Sequence, residues 1–218
     1  MKKVFVFAAL LVLASSFKPT EKPLKIAVLK YNGGGDWYDS PTSLPNLVKY
    51  CNQTLSMNLD PDVPNVEVGS PELFNYALVR ATGHGNIVFS EQELDNLRAY
   101  LAGGGFLYVD DSYGMDKFVR PQLEKIFPGS KLTELPFTHP IFHQKFDFPN
   151  GLPKIHEHDG KVPQAFGLFY EGRLVALYTY ETDLDDGWED KEIYNDPAEK
   201  REAAFKMGAN IVRFVFDN

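Results

Sequence analysis

The sequence predicts a three-layer α/β domain: a mostly parallel central sheet covered by helices, with a β-hairpin and a helix added at the C-terminal end. Three observations carry this reading. Short apolar runs of strand length alternate with stretches whose apolar residues recur at helical spacing, the pattern that builds right-handed crossovers and parallel sheets. Residues 90–109 encode a complete helix-to-strand unit, with a capped start and a triple-glycine stop. Five runs rich in Gly, Asp, His or Trp, at 33–38, 83–85, 110–114, 139–143 and 183–189, lie at or just past strand-like stretches. In an open α/β sheet the loops leaving the carboxyl ends of parallel strands share one edge, so such runs can converge on a ligand.

The elements follow in order. Residues 24–31 form a short apolar run closed by Gly33, Gly34 and Gly35, which reads as a buried strand. Leu44, Leu47, Val48 and Cys51 recur at helical spacing and predict a helix over 44–55. A Pro-rich loop leads to a short strand at 66–68, a turn of helix at 72–74 and a third strand at 76–79. Ser90 caps the next helix and Glu93 reaches back to it, while Leu94, Leu97 and Leu101 make the apolar stripe. Gly103, Gly104 and Gly105 end that helix before a central strand at 106–109. Beyond Pro121 a helix is expected at 122–126, then a Pro- and aromatic-rich passage to about residue 163. That passage reads as a packed functional loop, since Phe137, Ile141, Phe142, Phe146 and Phe148 call for burial. Residues 166–170 and 174–180, joined at Glu171 and Gly172, read as a hairpin. Asp196, Pro197 and Glu199 open the last helix, with Ala204, Met207, Ile211 and Val215 on its core face.

Composition sets the outer bounds. At 218 residues and 44% hydrophobic the chain can bury one sizeable core. With 22 basic against 30 acidic side chains the net charge is −8, and no basic stripe is visible, which argues against a nucleic-acid partner. Lys2 and Lys3, an apolar run over 4–13 and small residues at 14–16 read as a signal peptide spanning 1–16, with a single domain over 22–218. The chain is then exported, to the periplasm or the exterior, with no stable membrane span once the signal is cleaved; an uncleaved anchor is the alternative. Cys51 is the only cysteine, so no intramolecular disulfide is possible, and its helical spacing reads as a buried apolar position.

The runs Tyr31-Asn32-Gly33-Gly34-Gly35-Asp36-Trp37-Tyr38, His139-Pro140-Ile141-Phe142-His143 and Asp183-Leu184-Asp185-Asp186-Gly187-Trp188-Glu189, in that order, resemble the bacterial family called domain of unknown function 4159. The resemblance covers nearly all of the chain after the signal. It implies a flavodoxin-like, class I glutamine amidotransferase-like fold and brings no established activity. Residues 94–109 also resemble the matching segment of amidotransferase-like and ThuA-type sugar-utilisation proteins. In the amidotransferases the turn after this strand carries a nucleophilic Cys; here it reads Asp110-Asp111-Ser112-Tyr113-Gly114. Thiolate-dependent glutamine hydrolysis is therefore not expected, and the fold likeness does not carry that activity over.

Each candidate residue has a functional and a structural reading. Asp110 and Asp111, ending a central strand, suit a general base or a hard cation, or one of them caps the next helix. His84, between Gly83 and Gly85, has room for close ligand approach, or the glycines only make a tight turn. His139 and His143, separated by Pro140, suit an extended loop lining the cleft rather than a zincin helix. These four, Asp110, Asp111, His84 and His139, are the candidate catalytic residues. Gly34, Asp36, Trp37, Gly83, Ser112, His143, Asp183, Asp185 and Trp188 are the candidate ligand contacts. The tryptophans suit a sugar ring or plain core packing. The acidic run 183–189 fails the EF-hand spacing; a divalent cation or a turn of Asp side chains bonded to their own backbone would offset its repulsion. His156 and His158, beside Glu157 and Asp159, read as a solvated loop, with metal binding as the functional alternative. No cofactor is assigned beyond that optional divalent cation. The leading function is binding of a small polar ligand or carbohydrate in the strand-end cleft. A hydrolase pairing Asp110 or Asp111 with His84 or His139 is the alternative, and an envelope-complex scaffold the second.

Overall fold

A computed structural model describes residues 22–217, so the predicted signal peptide lies outside the described residues. Seven strands form one sheet: β1 (Ile26–Lys30), β2 (Asn65–Glu67), β3 (Leu78–Ala81), β4 (Phe106–Asp110), β5 (Thr133–Glu134), β6 (Gln164–Tyr170) and β7 (Arg173–Tyr180). Their order is β2-β1-β3-β4-β7-β6-β5. The neighbours from β2 to β7 pair in parallel, whereas β6 runs antiparallel to both β7 and β5. Every residue of β3 and β4 is buried, as a central parallel strand covered on both faces requires.

The helices are α1 (Ser43–Thr54), α2 (Glu91–Ala102), α3 (Asp116–Ile126), α4 (Leu184–Trp188), α5 (Lys191–Tyr194) and α6 (Ala198–Asp217). Alternation along the strands divides the core in two. Ala27, Leu29, Leu107 and Val109 pack with Leu94, Leu97 and Leu101 of α2 and Val119 and Leu123 of α3. Ile26, Phe106 and Tyr108 point the other way, onto Leu44 and Leu47 of α1, Leu184 and Trp188 of α4, and Met207 and Ile211 of α6. None of the described helices is long and apolar enough to cross a membrane.

Local signals place most of these elements. The capping box forms as expected: Ser90 Oγ accepts from Glu93 N at 3.3 Å and Glu93 Oε2 accepts from Ser90 N at 2.7 Å. Cys51 lies fully buried on α1, where burial pushes its thiol up to about 12 and leaves it inert. The hairpin forms β6 and β7, and the last helix becomes α6.

Other elements depart from expectation for identifiable reasons. Strand β3 ends at Ala81 rather than at 79, because Arg80, a residue that disguises a strand, sits inside it with 1% exposure. Helix α3 starts at Asp116 rather than 122, because the Asp111 carboxylate accepts from Met115 N at 2.9 Å and caps a helix that runs on through Pro121. Phe137 is 51% exposed rather than packed. The acidic run after β7 is not the expected turn of Asp side chains bonded to their own backbone. It forms α4, buried throughout, because Leu184 and Trp188 lie one turn apart and anchor it in the core. Trp188 is fully buried and donates from Nε1 to Ala204 O at 2.8 Å, so its indole face is closed to any ligand.

Helix α6 can lie this close to α1 and α4 only because Gly208 has no side chain: a Cβ there would stand 2.6 Å from Leu47 Cδ1 and 2.7 Å from Trp188 Cζ2. Gly208→Val is expected to destabilise the domain by about 1–3 kcal/mol through overpacking, measured as a lowered midpoint of urea unfolding with little change in slope.

Candidate functional site

The carboxyl end of β3 lies at the centre of the site, and two loops close over it. Gly35 N donates to Asn86 O at 2.9 Å and Val88 N to Asn32 O at 2.8 Å, zipping the β1–α1 loop to the β3–α2 loop. Gly83, at φ +134°, permits this approach, since a Cβ would fall 2.7 Å from both Asp36 Oδ1 and the Tyr31 hydroxyl. That hydroxyl donates to Thr82 O at 2.9 Å.

Around this point runs a ring of polar contacts. His84 donates its backbone N–H to Asp36 Oδ1, and its Nδ1 lies 3.1 Å from Asp36 Oδ2 and 3.6 Å from Asp39 Oδ2. Gly85 N donates to Tyr113 O at 3.3 Å, and the Tyr113 ring stacks on His158 at 4.7 Å. His158 Nε2 bonds Asp183 Oδ2. His156 Nδ1 lies 3.4 Å from that same oxygen and 3.1 Å from Asp186 Oδ2. Ser40, next to Asp39, donates to Asp186 Oδ1 at 3.1 Å and closes the ring. Hydrogen bonds to Asp183 and Asp186 hold the His156 imidazole well above its ordinary value, at about 10, against the opposing effect of burial. Burial raises the Asp39 carboxyl, with His84 pulling the other way.

Beneath the ring lies a buried charged layer. Arg80 donates from Nη2 to Ser43 Oγ at 2.6 Å and Ser40 O at 3.1 Å, and its Nη1 stands 3.2 Å from Asp185 Oδ2. Asp110 accepts from the Thr179 hydroxyl and, at 2.9 Å, from Asp185 N. Burial, reinforced by Asp185, pushes the Asp110 carboxyl well above the usual carboxylate range. Burial raises Asp185 to about 7, with Arg80 opposing. Glu189 Oε1 accepts from Thr42 N at 3.0 Å and Ser43 N at 3.1 Å, supplying the N-terminal cap that α1 lacks from its own Thr42 side chain. Several atoms of this assembly are buried without a hydrogen-bond partner: Asp39 Oδ2, Asp183 Oδ1, both oxygens of Asp185, and Arg80 Nε.

A family model described as Domain of unknown function (DUF4159) matches residues 25–216. The chain belongs to this family. No curated protein matches the sequence.

In this DUF4159 chain the sequence-predicted residues separate into three groups. Asp36, Gly83, His84 and Asp183 meet on the ring, with Gly34 exposed on the adjoining loop and Trp37 half-buried beneath Lys30, whose Nζ stands 5.7 Å from the ring centroid. Asp110, Asp111, Ser112, Asp185 and Trp188 are buried below it, each at most 2% exposed. Asp111 is committed to its α3 cap and accepts from the Tyr178 hydroxyl at 3.0 Å, and Ser112 Oγ shares a 3.0 Å hydrogen bond with Thr82 Oγ1. The side-chain hydrogen bonds of Asp110 and Asp111 run to Thr179, Asp185 N, Met115 N and Tyr178, and none of them to an imidazole. His139 and His143 stand apart. His139 caps the Pro140–Phe142 turn by accepting from Ile141 N at 3.2 Å, and it packs on Phe214. Phe214 in turn meets Phe106, at the end of β4 remote from Asp110. His143 Nδ1 bonds Asp147, and its Nε2 donates to Phe137 O at 2.7 Å.

Sequence reasoning missed Arg80, Asp39, Asp186, His156, His158 and Tyr113. The local clue for Arg80 was a lone charge in an apolar run. His156 and His158, far from solvated, fold back onto the carboxylates of α4 and its N-cap Asp183.

Removing Arg80 leaves Asp185 without a counter-charge. Arg80→Met is expected to cost about 3–5 kcal/mol at pH 8, with part of the loss recovered in the Arg80→Met/Asp185→Asn double variant, both measured by urea unfolding.

A carboxyl raised by burial favours the folded chain while it is protonated. Its contribution is complete below about pH 4, the unfolded value, and is lost as pH rises through the folded value, which for Asp185 is about 7. His156, also raised, adds a loss that begins near its unfolded value and extends to about pH 10. The wild type should therefore lose stability between pH 5 and pH 8. Asp110→Asn, which removes one of the two carboxyls while leaving His156 in place, should lose less over the same interval in urea titrations.

Proposed function

We propose that this chain is an exported domain whose strand-end ring binds a small polar ligand rich in hydroxyl groups, a carbohydrate being the class that fits. One observation carries the reading: on the ring, carboxylate oxygens of Asp39 and Asp183 accept no hydrogen bond. Such oxygens are costly unless donors reach them, and hydroxyl groups are donors of suitable size. Aromatic rings flank the same ring of residues. Tyr113 is 49% exposed beside His158, and Tyr194, 39% exposed, meets His156 edge-on at 4.9 Å. Tyr38, on the loop that carries Asp36, is 66% exposed. Flat rings beside acceptors match the apolar C–H face and polar rim of a sugar. The clustered carboxylates and the net charge of −8 disfavour a phosphate or nucleic-acid backbone.

The finer fold reading also belongs to the proposal. The parallel order β2-β1-β3-β4, extended by β7, supports a flavodoxin-like, amidotransferase-like assignment, in which the switch point falls between β1 and β3 beside the ring. With Cys51 buried on α1 and Ser112 at the turn after β4, the proposal does not include Cys-dependent glutamine hydrolysis. Export rests on the charged and apolar N-terminal pattern, which directs the domain to the periplasm or the exterior.

The test is a glycan array followed by calorimetry with the best-bound sugar. Wild-type protein should bind, and Tyr113→Ala and Asp36→Ala should each weaken binding at least about tenfold, or about 1.4 kcal/mol. The reading fails if no sugar or polyol binds below millimolar concentration, or if both variants lower melting temperature while leaving affinity unchanged.

A further inference from the structure

We propose that His156, Asp183 and Asp186 form a binding site for one divalent transition-metal cation, zinc or manganese, at the edge of the strand-end ring.

The donor geometry comes first. One ligand atom from each of the three residues lies within 4.8 Å of the others. His156 Nδ1 stands 3.1 Å from Asp186 Oδ2 and 3.4 Å from Asp183 Oδ2. Two donors bound to one cation at about 2.1 Å are separated by roughly 3.0–3.4 Å in octahedral or tetrahedral geometry. The imidazole nitrogen therefore already stands at that spacing from each carboxylate, and the two carboxylate oxygens lie within 4.8 Å of each other.

The surroundings are built in the same sense. Asp183 has no solvent exposure; it turns Oδ2 onto both imidazoles and leaves Oδ1 without any donor. Asp186 is 8% exposed and is oriented through Oδ1 by the Ser40 hydroxyl. On the far side of the imidazole, His156 Nε2 lies 3.1 Å from both oxygens of Asp196. With Asp196 accepting from Nε2–H, the Nδ1 proton is the one a cation would displace, leaving the outer-shell arrangement that typifies metal-bound histidine. Without that proton the Nδ1 lone pair faces two carboxylate oxygens, which is repulsive unless a cation stands between them. Three carboxylates touch this one imidazole, more negative charge than its single proton can balance, and His158 reaches only one of them. A divalent cation supplies what the proton does not.

The donor set selects the cation. One imidazole and two carboxylates, one of which is also held by His158, suit zinc or manganese. Calcium prefers six to eight oxygens and magnesium retains its waters, so neither matches a nitrogen-bearing group this tightly enclosed. The Asp36, Asp39 and His84 group has similar donors but is more exposed, and its imidazole lacks the outer-shell carboxylate. The inference does not rest on the carbohydrate reading, because it concerns binding of the cation alone.

Metal-free protein, prepared with a chelator, is titrated calorimetrically with Zn²⁺ and with Mn²⁺ in the absence of sugar; Co²⁺ is added in parallel as an optical probe. One equivalent of Zn²⁺ or Mn²⁺ should bind with micromolar or tighter affinity, and Co²⁺ should give a visible d–d spectrum that His156→Ala abolishes. His156→Ala should weaken binding at least about 100-fold, and Asp196→Asn, which keeps all three ligands, about 10- to 100-fold. Should His156→Ala fail to fold, Asp196→Asn decides. Absence of binding tighter than millimolar by the wild type, or unchanged affinity in Asp196→Asn, overturns the proposal. Loss of sugar binding with cation binding intact would sink only the ligand reading.

Discussion

A single buried guanidinium holds together the charged half of this molecule. Arg80 enters from β3, bonds Ser40 and Ser43 at the start of α1, and faces Asp185 on α4, so one side chain joins three segments far apart in sequence. Its counterpart is an acidic helix that could not otherwise be buried. Asp183, Asp185, Asp186 and Glu189 all lie within the protein around α4, and each needs a separate offset. Asp185 has Arg80, Glu189 has the free N–H groups of α1, and Asp183 and Asp186 have imidazoles. Asp110 is left with neutrality: burial and Asp185 hold its carboxyl protonated above the ordinary range. Apolar anchoring by Leu184 and Trp188 supplies the drive that keeps this costly arrangement inside.

Rigidity at the rim follows from the same arrangement. The two loops at the switch point are joined by main-chain hydrogen bonds, and Gly83 lets Asp36 and Tyr31 approach the backbone where any side chain would intrude. The α4 carboxylates, although close to the surface, are fixed from below by the buried helix that carries them. Carboxylates positioned in this way pay little ordering cost when a partner arrives, which favours recognition by geometry over recognition by flexible closure. The relation between His156 and Asp196 shows the same principle on a smaller scale, since the outer carboxylate sets the ring orientation on which the inner contacts depend.

Much of the fold was legible because its signals are local. The capping box at Ser90 and Glu93, the glycine stop at 103–105, the hairpin at Glu171 and Gly172 and the apolar stripe of α1 each depend on residues within a turn or two of one another. The rim was half legible. Asp36, Gly83, His84 and Asp183 follow parallel strands, and the topology delivers them to one edge. What could not be read was which charges go inside. Arg80 looked like an interruption in an apolar run, and the run from Asp183 to Glu189 is too short for its Leu184–Trp188 spacing to outweigh four carboxylates. Their burial is decided by partners 25 to 147 residues away. His139 and His143 illustrate the converse error, since they follow a two-residue edge strand and then fold back against α6, where Phe214 holds His139 far from the site.

The turn after β4 shows where the chemistry has gone. An amidotransferase-like reading would put a nucleophile on that turn; here its two carboxylates and Ser112 face inward or into a cap, and of its side chains only Tyr113 is left exposed. Ser112 is spent on Thr82, Asp111 on the first turn of α3, and Asp110 on Thr179 and the backbone of Asp185. The accessible polar groups instead come from the loops after β1 and β3 and from the segment that returns over α4. A nucleophile on an elbow attacks one atom of a substrate, and its surroundings must exclude water from that atom. A ring of carboxylates and imidazoles supported by the buried Arg80 guanidinium offers fixed acceptors in several directions at once, the geometry on which the proposed ligand and cation sites both draw.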